Sequence, residues 1–495
     1  MSKHVTYDKE TEFEEWYQHV IQEADMIRYH DVSGCYVMLP NSYFVWENIK
    51  GFLDMNFRHR NIQNCYFPML ISHSALKKEK EHLKDFAPEV AWVTGYGDID
   101  HKNKKTKKTK EGKFHELDVP LAIRPTSETV MYQHYKSLIK SPMDLPLKLN
   151  QWNNVVRWEF KEPTPFIRSR EFLWQEGHSC FSNKKDAILE VYDIIDLYQE
   201  TYEKVLSVPT IKGMKTESEK FAGAEFTLTL EGFVPFNGKG VQACTAHHLG
   251  QQFSKMFDIS YQNEKKKKSF VWQNSWGFTT RSIGLMLMLH GDDKGLVLPP
   301  QVATTRVVIV PIYTKKNEKK VMEYVSEVAN GLDSQFVIID KRDKKPGWKF
   351  NYWEMRGVPL RVEIGEKDIE ENKVVLYRRD KDEKSIVPAP ALNTTINFFL
   401  AVDIPENLYN RARDRLFDSI KYVVSLDEAK IAINNNMMFV CNFNEDVKLE
   451  EKIKNETGAK PLCIPMEKEF DTFKGNDCFI SGEKNCGLVL FGKSY

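Results

Sequence analysis

An α+β chain of several domains is predicted by three features of the sequence. The stretches "VVRWEFK" and "EFLWQEGH" each alternate in period two and flank a ten-residue connection, Lys161 to Arg170, the pattern of two antiparallel strands. Beyond residue 304, "RVVIVPIY", a run with Val321, Tyr324, Val325 and Val328 at helical spacing, and "QFVIID" succeed one another. That β-α-β order predicts a compact α/β unit with a largely parallel sheet. Between the two regions, "HGDDKGLVLPPQVA" carries Gly295 and the pair Pro299-Pro300, which forbid a continuous helix, and it reads as a linker. A length of 495 residues exceeds what one core supports, and the boundaries fall at 1–298, 304–402 and 406–495.

Composition narrows the class. Apolar residues make up 41% of the chain, ordinary for a globular protein, and no run of eighteen apolar residues marks a membrane span. "MSKHVTYDKETEFEEW" lacks the basic-then-apolar order of a secretory signal, so the eight cysteines are expected as thiols in the cytoplasm.

The total charge is balanced, 70 basic against 70 acidic residues, but two stretches are locally basic. "HKNKKTKKTKEGK", His101 to Lys113, reads as a solvated loop. In "KRDKKPGWKFNYWEMRGVPLR", Lys341 to Arg361, seven basic residues face two acidic ones among Trp348, Phe350, Tyr352 and Trp353. That mixture suits either stacking on unpaired bases or an aromatic core with a charged rim.

The hairpin is the chemical centre of the sequence. In its first strand Val156, Trp158 and Phe160 share one face, Arg157 and Glu159 the other. In its second strand Phe172, Trp174, Glu176 and His178 share a face. The connection holds Pro163 and Pro165 and is too long for a tight turn, so it projects as a loop. Cross-strand Arg–Glu pairing alone does not require Trp and His on that surface. A pocket for a molecule with a flat ring, anionic groups and an ammonium does.

Here the sequence resembles the class II aminoacyl-tRNA synthetases, and specifically the prolyl-tRNA synthetases of the eukaryotic and archaeal type. "RWEFKEPTPFIRSREFLWQEGHS" resembles the family's motif 2, "RPTSET" the segment that holds the substrate amino group, and "QACTAHHLGQQFSKMF" a nucleotide- and proline-binding stretch. "NSWGFTTRSIG" resembles motif 3, "NIQNCYFPML" with Pro68 the end of motif 1, and "PGWKFNYWEMRGVPLRVEIGEKD" the anticodon-binding domain. The terminal "LFGKSY" matches the family's ending, and all the matches run in family order from about residue 10 to 495.

The resemblance implies an antiparallel-sheet catalytic core, then an α/β anticodon-binding domain and a small α+β C-terminal domain. It implies a two-step reaction: proline and ATP with Mg²⁺ give prolyl-adenylate, and the prolyl group passes to tRNA(Pro). Such chemistry needs alignment and charge neutralisation more than a nucleophile–base pair. Arg157 then corresponds to the arginine bridging the proline carboxylate and the α-phosphate, Glu159 to the carboxylate at the adenine amino group, and Arg168 to a β/γ-phosphate ligand. Phe172 is the ring under adenine and Arg281 the motif 3 arginine, set just ahead of the apolar "SIGLMLMLH", which reads as a buried helix; an interdomain salt bridge is the alternative role for Arg281. Gln242 and Thr245 face the nucleotide or its magnesium, with Thr279 and Ser275 completing the floor. Thr126 and Glu128 hold the secondary ammonium, or serve with Ser127 as an ordinary helix start; Trp174, Glu176, His178 and His247 line the proline pocket. Lys349, Trp353, Glu354 and Arg356 are candidates for reading the anticodon.

Two family features are expected to be missing. About a hundred residues separate Ser179 from Arg281, which leaves no room for an inserted editing domain. The family's four-cysteine zinc pattern is reduced to Cys441 and Cys478, with Asp446 and Ile480 in the other places, so zinc is expected to be absent and the C-terminal domain held by its own core. The helix-like run Tyr43 to Arg60 implies a homodimer through motif 1, and Tyr495 a chain end that reaches back to the catalytic domain. Two other readings remain: a threonyl-type enzyme, for which no Cys–His zinc set is found, and a non-catalytic descendant binding RNA or protein.

Overall fold

The computed structural model describes residues 5–82, 89–97, 114–158, 162–332, 336–473 and 475–495. Glu159 and the basic run His101 to Lys113 lie outside the described residues.

The elements that build the first part of the chain are α1 (Pro40–His59), α2 (Glu128–Leu138), β1 (Leu147–Val156), β2 (Glu171–Phe181), α3 (Lys184–Leu206), β3 (Ile211–Met214), β4 (Phe226–Val234), β5 (Lys239–Gly250), β6 (Trp272–Thr279) and α4 (Arg281–His290). Strands β3-β4-β5-β6-β2-β1 are hydrogen-bonded in that order, every pair antiparallel. The predicted hairpin exists, but its first strand begins eight residues before Val155, at Leu147, and ends at Val156 rather than continuing through Arg157 and Trp158. One further bond, Arg157 N to Arg170 O at 2.8 Å, continues the ladder before Pro163 and Pro165, which lack an N–H, break the pattern.

Helix α3 packs across this sheet. Asn183 caps it, its side chain accepting from the Asp186 N–H at 2.9 Å, and Ser207 in the left-handed region (φ 54°) ends it. Its buried stripe, Ile194, Ile195, Tyr198, Tyr202 and Val205, meets Phe278 and the apolar side of the strands. Helix α4 is buried on all sides from Ser282 to His290, as its continuous apolar sequence predicts.

His290 closes α4 with its Nε2 bonded to the Leu206 carbonyl at 2.9 Å. Burial drives its pKa down to about 3, so the folded protein cannot protonate it where the unfolded chain can. Unfolding therefore takes up a proton between the unfolded value near 6.5 and about 3, and stability falls as pH drops through that window. The expected contribution is about 2 kcal/mol lost between pH 7 and pH 5, read as a difference in urea midpoint that a His290→Gln variant reduces.

The middle unit holds β7 (Val307–Pro311), α5 (Glu318–Asn330), β8 (Val337–Ile339), α6 (Pro346–Met355), β9 (Leu360–Ile364), β10 (Lys373–Arg378) and β11 (Glu383–Pro388). Its sheet runs β8-β7-β9-β10-β11, the first three parallel and the last two antiparallel. The expectation of a largely parallel sheet is thus half right. The connection from β9 to β10 spans only residues 365–372, too short for a parallel crossover.

The presumed linker is no loose tether. Leu296, Val297 and Leu298 are buried, and the N–H groups of Leu296 and Leu298 donate to the carbonyls of Met355 and Gly357 at 3.1 and 3.2 Å. At Gly295 (φ +129°) a Cβ would lie 2.5 Å from the Met355 Cα, so this contact requires glycine. Arg379, fully buried, clamps the same segment through both oxygens of Asp292, at 2.5 and 2.6 Å.

The last part contributes β12 (Ile420–Tyr422), β13 (Met438–Phe443), α7 (Val447–Thr457), β14 (Lys460–Pro465) and β15 (Gly487–Ser494). With the two-residue strand Gln63–Asn64, which pairs parallel to β1, these strands extend the first sheet to eleven strands, through β14 against β3 and β15 parallel to β5. One apolar cluster here is its own, with Val423, Phe439, Ile453 and Phe491. A second is shared, for Ile211 and Phe233 of the first part pack with Leu462, Leu488 and Leu490. The segment is therefore held by a joint core as well as its own. Tyr495 sits on the β4–β5 end: Asn237 Nδ2 donates to its hydroxyl at 2.5 Å, and its N–H donates to the Gly240 carbonyl at 3.2 Å.

Candidate active site

Strand register assembles the site. His178 of β2 lies opposite Ser275 of β6, Ser275 opposite His247 of β5, and His247 opposite Thr227 of β4. One step along, Glu176, Gly277, Thr245 and Thr229 form the next row, and Trp174 opposite Thr279 begins a third. Because side chains repeat every second residue, these rows all project to one side. Beneath them, Gly177 gives room to Trp276, whose ring would lie 2.2 Å from a Cβ there.

Above the rows is a cavity of about 310 Å³. Of the residues predicted to meet substrates, Thr126, Glu128, Arg157, Phe172, Trp174, Glu176 and His178 line it, together with Gln242, Thr245, His247, Ser275, Thr279 and Arg281. Arg168 stands apart: it is exposed on the projecting loop, held by paired backbone bonds between Thr164 and Arg168 at 2.8 and 2.9 Å, and is not among the lining residues.

One end of the cavity is built around Glu176. Its buried carboxylate accepts from the Ser127 N–H at 3.2 Å, from Gln151 and Asn153 amides at 2.7 Å each, and from the Ser127 hydroxyl. Burial alone would raise its pKa, but the His178 hydrogen bond, the His178 charge and these other donors overcome that and hold it below the ordinary carboxylate value. His178 is fixed on both sides, by Glu176 at 3.3 Å and the Tyr132 hydroxyl at 3.0 Å. Ser127 occupies the position before α2 but its side chain caps no helix N–H; it serves Glu176 instead. Thr126 donates to Glu128, which fixes that carboxylate at the cavity wall.

His247 faces the same end. Its two ring nitrogens bond with Thr227 and Thr245 hydroxyls at 2.9 and 3.1 Å, and the Phe221 ring lies 4.6 Å from it. Burial, with a smaller effect of His178, lowers its pKa to about 3, so it is neutral at physiological pH. The Ser275 hydroxyl is buried and has no hydrogen-bond partner among the described residues, a polar group left for a ligand.

The other end is cationic. The Arg157 side chain donates from Nε to the Pro125 carbonyl at 3.0 Å, and its guanidinium lies 5.6 and 5.4 Å from the Phe172 and Trp174 rings. Those rings meet edge to face, 6.1 Å apart at 89°. Arg281 is anchored through Nε to the Ile167 carbonyl and Nη1 to the Gln242 carbonyl, each at 3.0 Å, and makes no ion pair among the described residues. Burial brings its pKa down to about 10, with Arg157 and Arg168 adding repulsion, so it remains a cation at neutral pH. Two arginines held by carbonyls rather than carboxylates keep their charge for an anionic ligand.

Sequence reading passed over Gln151, Asn153, Tyr132, Glu219 and Phe221, and took Ser127 only as a helix start. The first two had a signal: extending period two back from Val155 places Asn153 and Gln151 opposite Trp174 and Glu176. Phe221 and Glu219 lie in an irregular segment, 215–225, where periodicity says nothing.

The four anticodon candidates make contacts within the protein. Lys349 is buried and donates to the Asp340 carbonyl at 2.8 Å, Trp353 Nε1 to the Asp340 carboxylate at 2.9 Å. Glu354 accepts from Arg361 at 2.7 Å, and Arg356 pairs with Asp25. Beside them Arg342 lies 3.8 Å from the Tyr352 ring and 4.9 Å from that of Trp348. At the family's zinc positions, the Cys441 thiol is buried against the Val489 carbonyl, Asp446 caps α7 through the Lys448 and Leu449 N–H groups at 2.8 and 3.2 Å, and Cys478 faces Asn444. Among the described residues no three His, Cys, Asp or Glu side chains form a metal-binding group.

Comparison with known proteins agrees with this geometry. Residues 109–290 match the tRNA synthetase class II core domain (G, H, P, S and T), 306–397 the anticodon binding domain, and 426–495 the prolyl-tRNA synthetase C-terminal domain. The chain is 45% identical to the cytoplasmic proline–tRNA ligase of Arabidopsis thaliana, over 98% of this chain and 90% of the relative. It is 41% identical to proline–tRNA ligase of Encephalitozoon cuniculi, with 99% of each chain covered, and 43% identical to that of Ruminiclostridium cellulolyticum, with 98% and 97% covered. A fold of central antiparallel strands, a row-built cavity with free arginine charge at one end, and this full-length similarity agree: the chain belongs to the prolyl-tRNA synthetase family of class II aminoacyl-tRNA synthetases.

Proposed function

We infer that the chain is a proline–tRNA ligase. A proline carboxylate oxygen attacks the α-phosphorus of ATP, the bond to the β-phosphate breaks, and pyrophosphate leaves. A hydroxyl at the 3′ end of tRNA(Pro) then attacks the prolyl carbonyl and releases AMP. The observation that carries the reading is the polarity of one cavity, with the carboxylates Glu128 and Glu176 at one end and the cations Arg157 and Arg281 at the other.

We assign roles on that polarity. The secondary ammonium of proline sits toward Glu128 and Thr126, its ring against Trp174, His178, His247 and Ser275, with Glu176 fixing His178. Arg157 meets the proline carboxylate and the α-phosphate together, and neutralises charge as the attack proceeds. Arg281, Gln242, Thr245 and Thr279 hold the nucleotide, Phe172 stacks beneath adenine, Glu159 is assigned to the adenine amino group, and Arg168 on the projecting loop to the β- and γ-phosphates. Gln242 and Thr245 are the residues that would face Mg²⁺ bound with ATP, which would supply charge shielding for the pyrophosphate. Neutral His247 gives the pyrrolidine ring a polar edge without a second positive charge.

We further propose a homodimer through α1, a cytoplasmic location, tRNA(Pro) anticodon contact by the α6 region, and a C-terminal domain without zinc. Asp446, taken up in a helix cap, and Ile480 at the fourth position support the last. Among the described residues no helix is long and apolar enough to cross a membrane. Domains at 1–298, 304–402 and 406–495 remain the division we propose.

The test is proline-dependent exchange of labelled pyrophosphate into ATP. Strong exchange with proline and weak exchange with alanine is expected, since a small apolar ring is discriminated by shape at only about 1–3 kcal/mol. Absence of proline-dependent exchange would refute the reading.

A further inference from the structure

The segment between β3 and β4 is gripped from two sides. On one side it forms cavity wall: Glu219 and Phe221 line the site, and Phe221 packs its ring 4.6 Å from His247. Phe221 is itself fixed by its N–H, which donates to the Thr227 hydroxyl at 3.1 Å, the hydroxyl that also meets His247. On the other side the segment meets β14, which belongs to the C-terminal part. Lys460 of β14 pairs with Glu219 at 2.8 Å. Lys215 donates to the Leu462 carbonyl of β14 at 2.8 Å and pairs with Glu231 of β4 at 2.7 Å. The Lys215–Glu231 pair is enclosed, its side chains 5% and 2% exposed, and Thr229 donates to the same Glu231 oxygen at 2.7 Å.

These contacts are not what sheet continuity requires. The β14–β3 ladder, Ile464 with Met214 and Pro465 with Gly213, stops where Lys215 begins. Beyond it the chain is irregular, and irregular backbone beside a cavity holds one conformation only if something fixes it. Both cross-links to β14 act at or before Glu219, two residues ahead of the ring that touches His247.

We propose that the C-terminal domain sets the shape of the amino-acid end of the active site, with Lys460 and Lys215 as positioning residues that hold Glu219 and Phe221 against His247. The inference rests on the proline–tRNA ligase reading above. It assigns the C-terminal domain a part in substrate binding. It also separates the two substrates: the clamp reaches the end with His247 and Ser275, while Arg157 and Phe172 are held by β1, β2 and the Pro125 carbonyl, remote from β14.

Lys215→Met would strand Glu231 in the interior and confound the test with unfolding, so Lys460, only partly buried, is the residue to change. In Lys460→Glu two carboxylates repel across the former pair. The expected result, in exchange assays on the full chain, is a proline KM raised about tenfold, an ATP KM within about twofold of wild type and an unchanged melting temperature. Lys460→Arg should restore the proline KM. Kinetic constants equal to wild type in Lys460→Glu, or equal losses for proline and ATP, would overturn the clamp. Failure of the unsubstituted chain to exchange with proline would instead remove the functional reading, and the clamp with it.

Discussion

Replacing Arg157 with alanine should abolish proline-dependent pyrophosphate exchange to within measurement, a loss of about 10³-fold in kcat/KM, while leaving the melting temperature nearly unchanged. The two halves of that result have separate causes. Among the described residues the Arg157 side chain contributes one hydrogen bond to the protein, to the Pro125 carbonyl, and it is only half-buried, so the fold loses little without it. The reaction loses the one cation we place between both reacting groups. Arg157→Lys should recover only a small part, because an ammonium cannot present the planar fork that meets a carboxylate and a phosphate together. Exchange left intact in Arg157→Ala would mean that the cavity binds its ligands in another way.

Lys215→Met should be among the most destabilising single changes in the chain, costing about 3–5 kcal/mol. Its ammonium is enclosed with Glu231 and the Leu462 carbonyl, and removing it leaves a buried carboxylate with the Thr229 hydroxyl but without its ion-pair partner. The size of the effect reflects that stranded charge rather than the strength of the pair. The double variant Lys215→Met, Glu231→Leu should therefore recover most of the loss, since an apolar pair of similar volume replaces a costly ionic one. Denaturant midpoints of the two variants measure both statements. Equal destabilisation in the single and double variants would show that the pair's geometry, not its charge balance, matters.

Much of the fold was legible because its signals are periodic. Phe172, Trp174, Glu176 and His178 were assigned to one face from alternation alone, and all four line one cavity. The buried character of Ser282 to His290 followed from a run with no polar side. Errors arose where a local pattern depends on a distant partner. "HGDDKGLVLPPQVA" has the composition of a loop, yet Arg379 and the Met355 and Gly357 carbonyls pull it into the interior. Composition records that a helix is forbidden there, not that the strand-like alternative has somewhere to dock. The parallel character of the second sheet was overestimated because a β-α-β start does not fix how later strands return.

The sequence by itself determined the chemistry available: which side chains share a strand face, where a triphosphate-sized excess of arginine sits, and which family's motifs stand in order. Those properties follow from nearest neighbours and from period two or 3.6, so a linear reading reaches them. Tertiary structure decided which groups are spent and which are left for ligands. Only the register across β2, β6, β5 and β4 sets His178, Ser275 and His247 in a row. Only the packing of β14 against β3 brings Lys460 to Glu219, 241 residues apart in the chain. Such pairings are fixed by how strands from distant segments dock, and no local spacing encodes them.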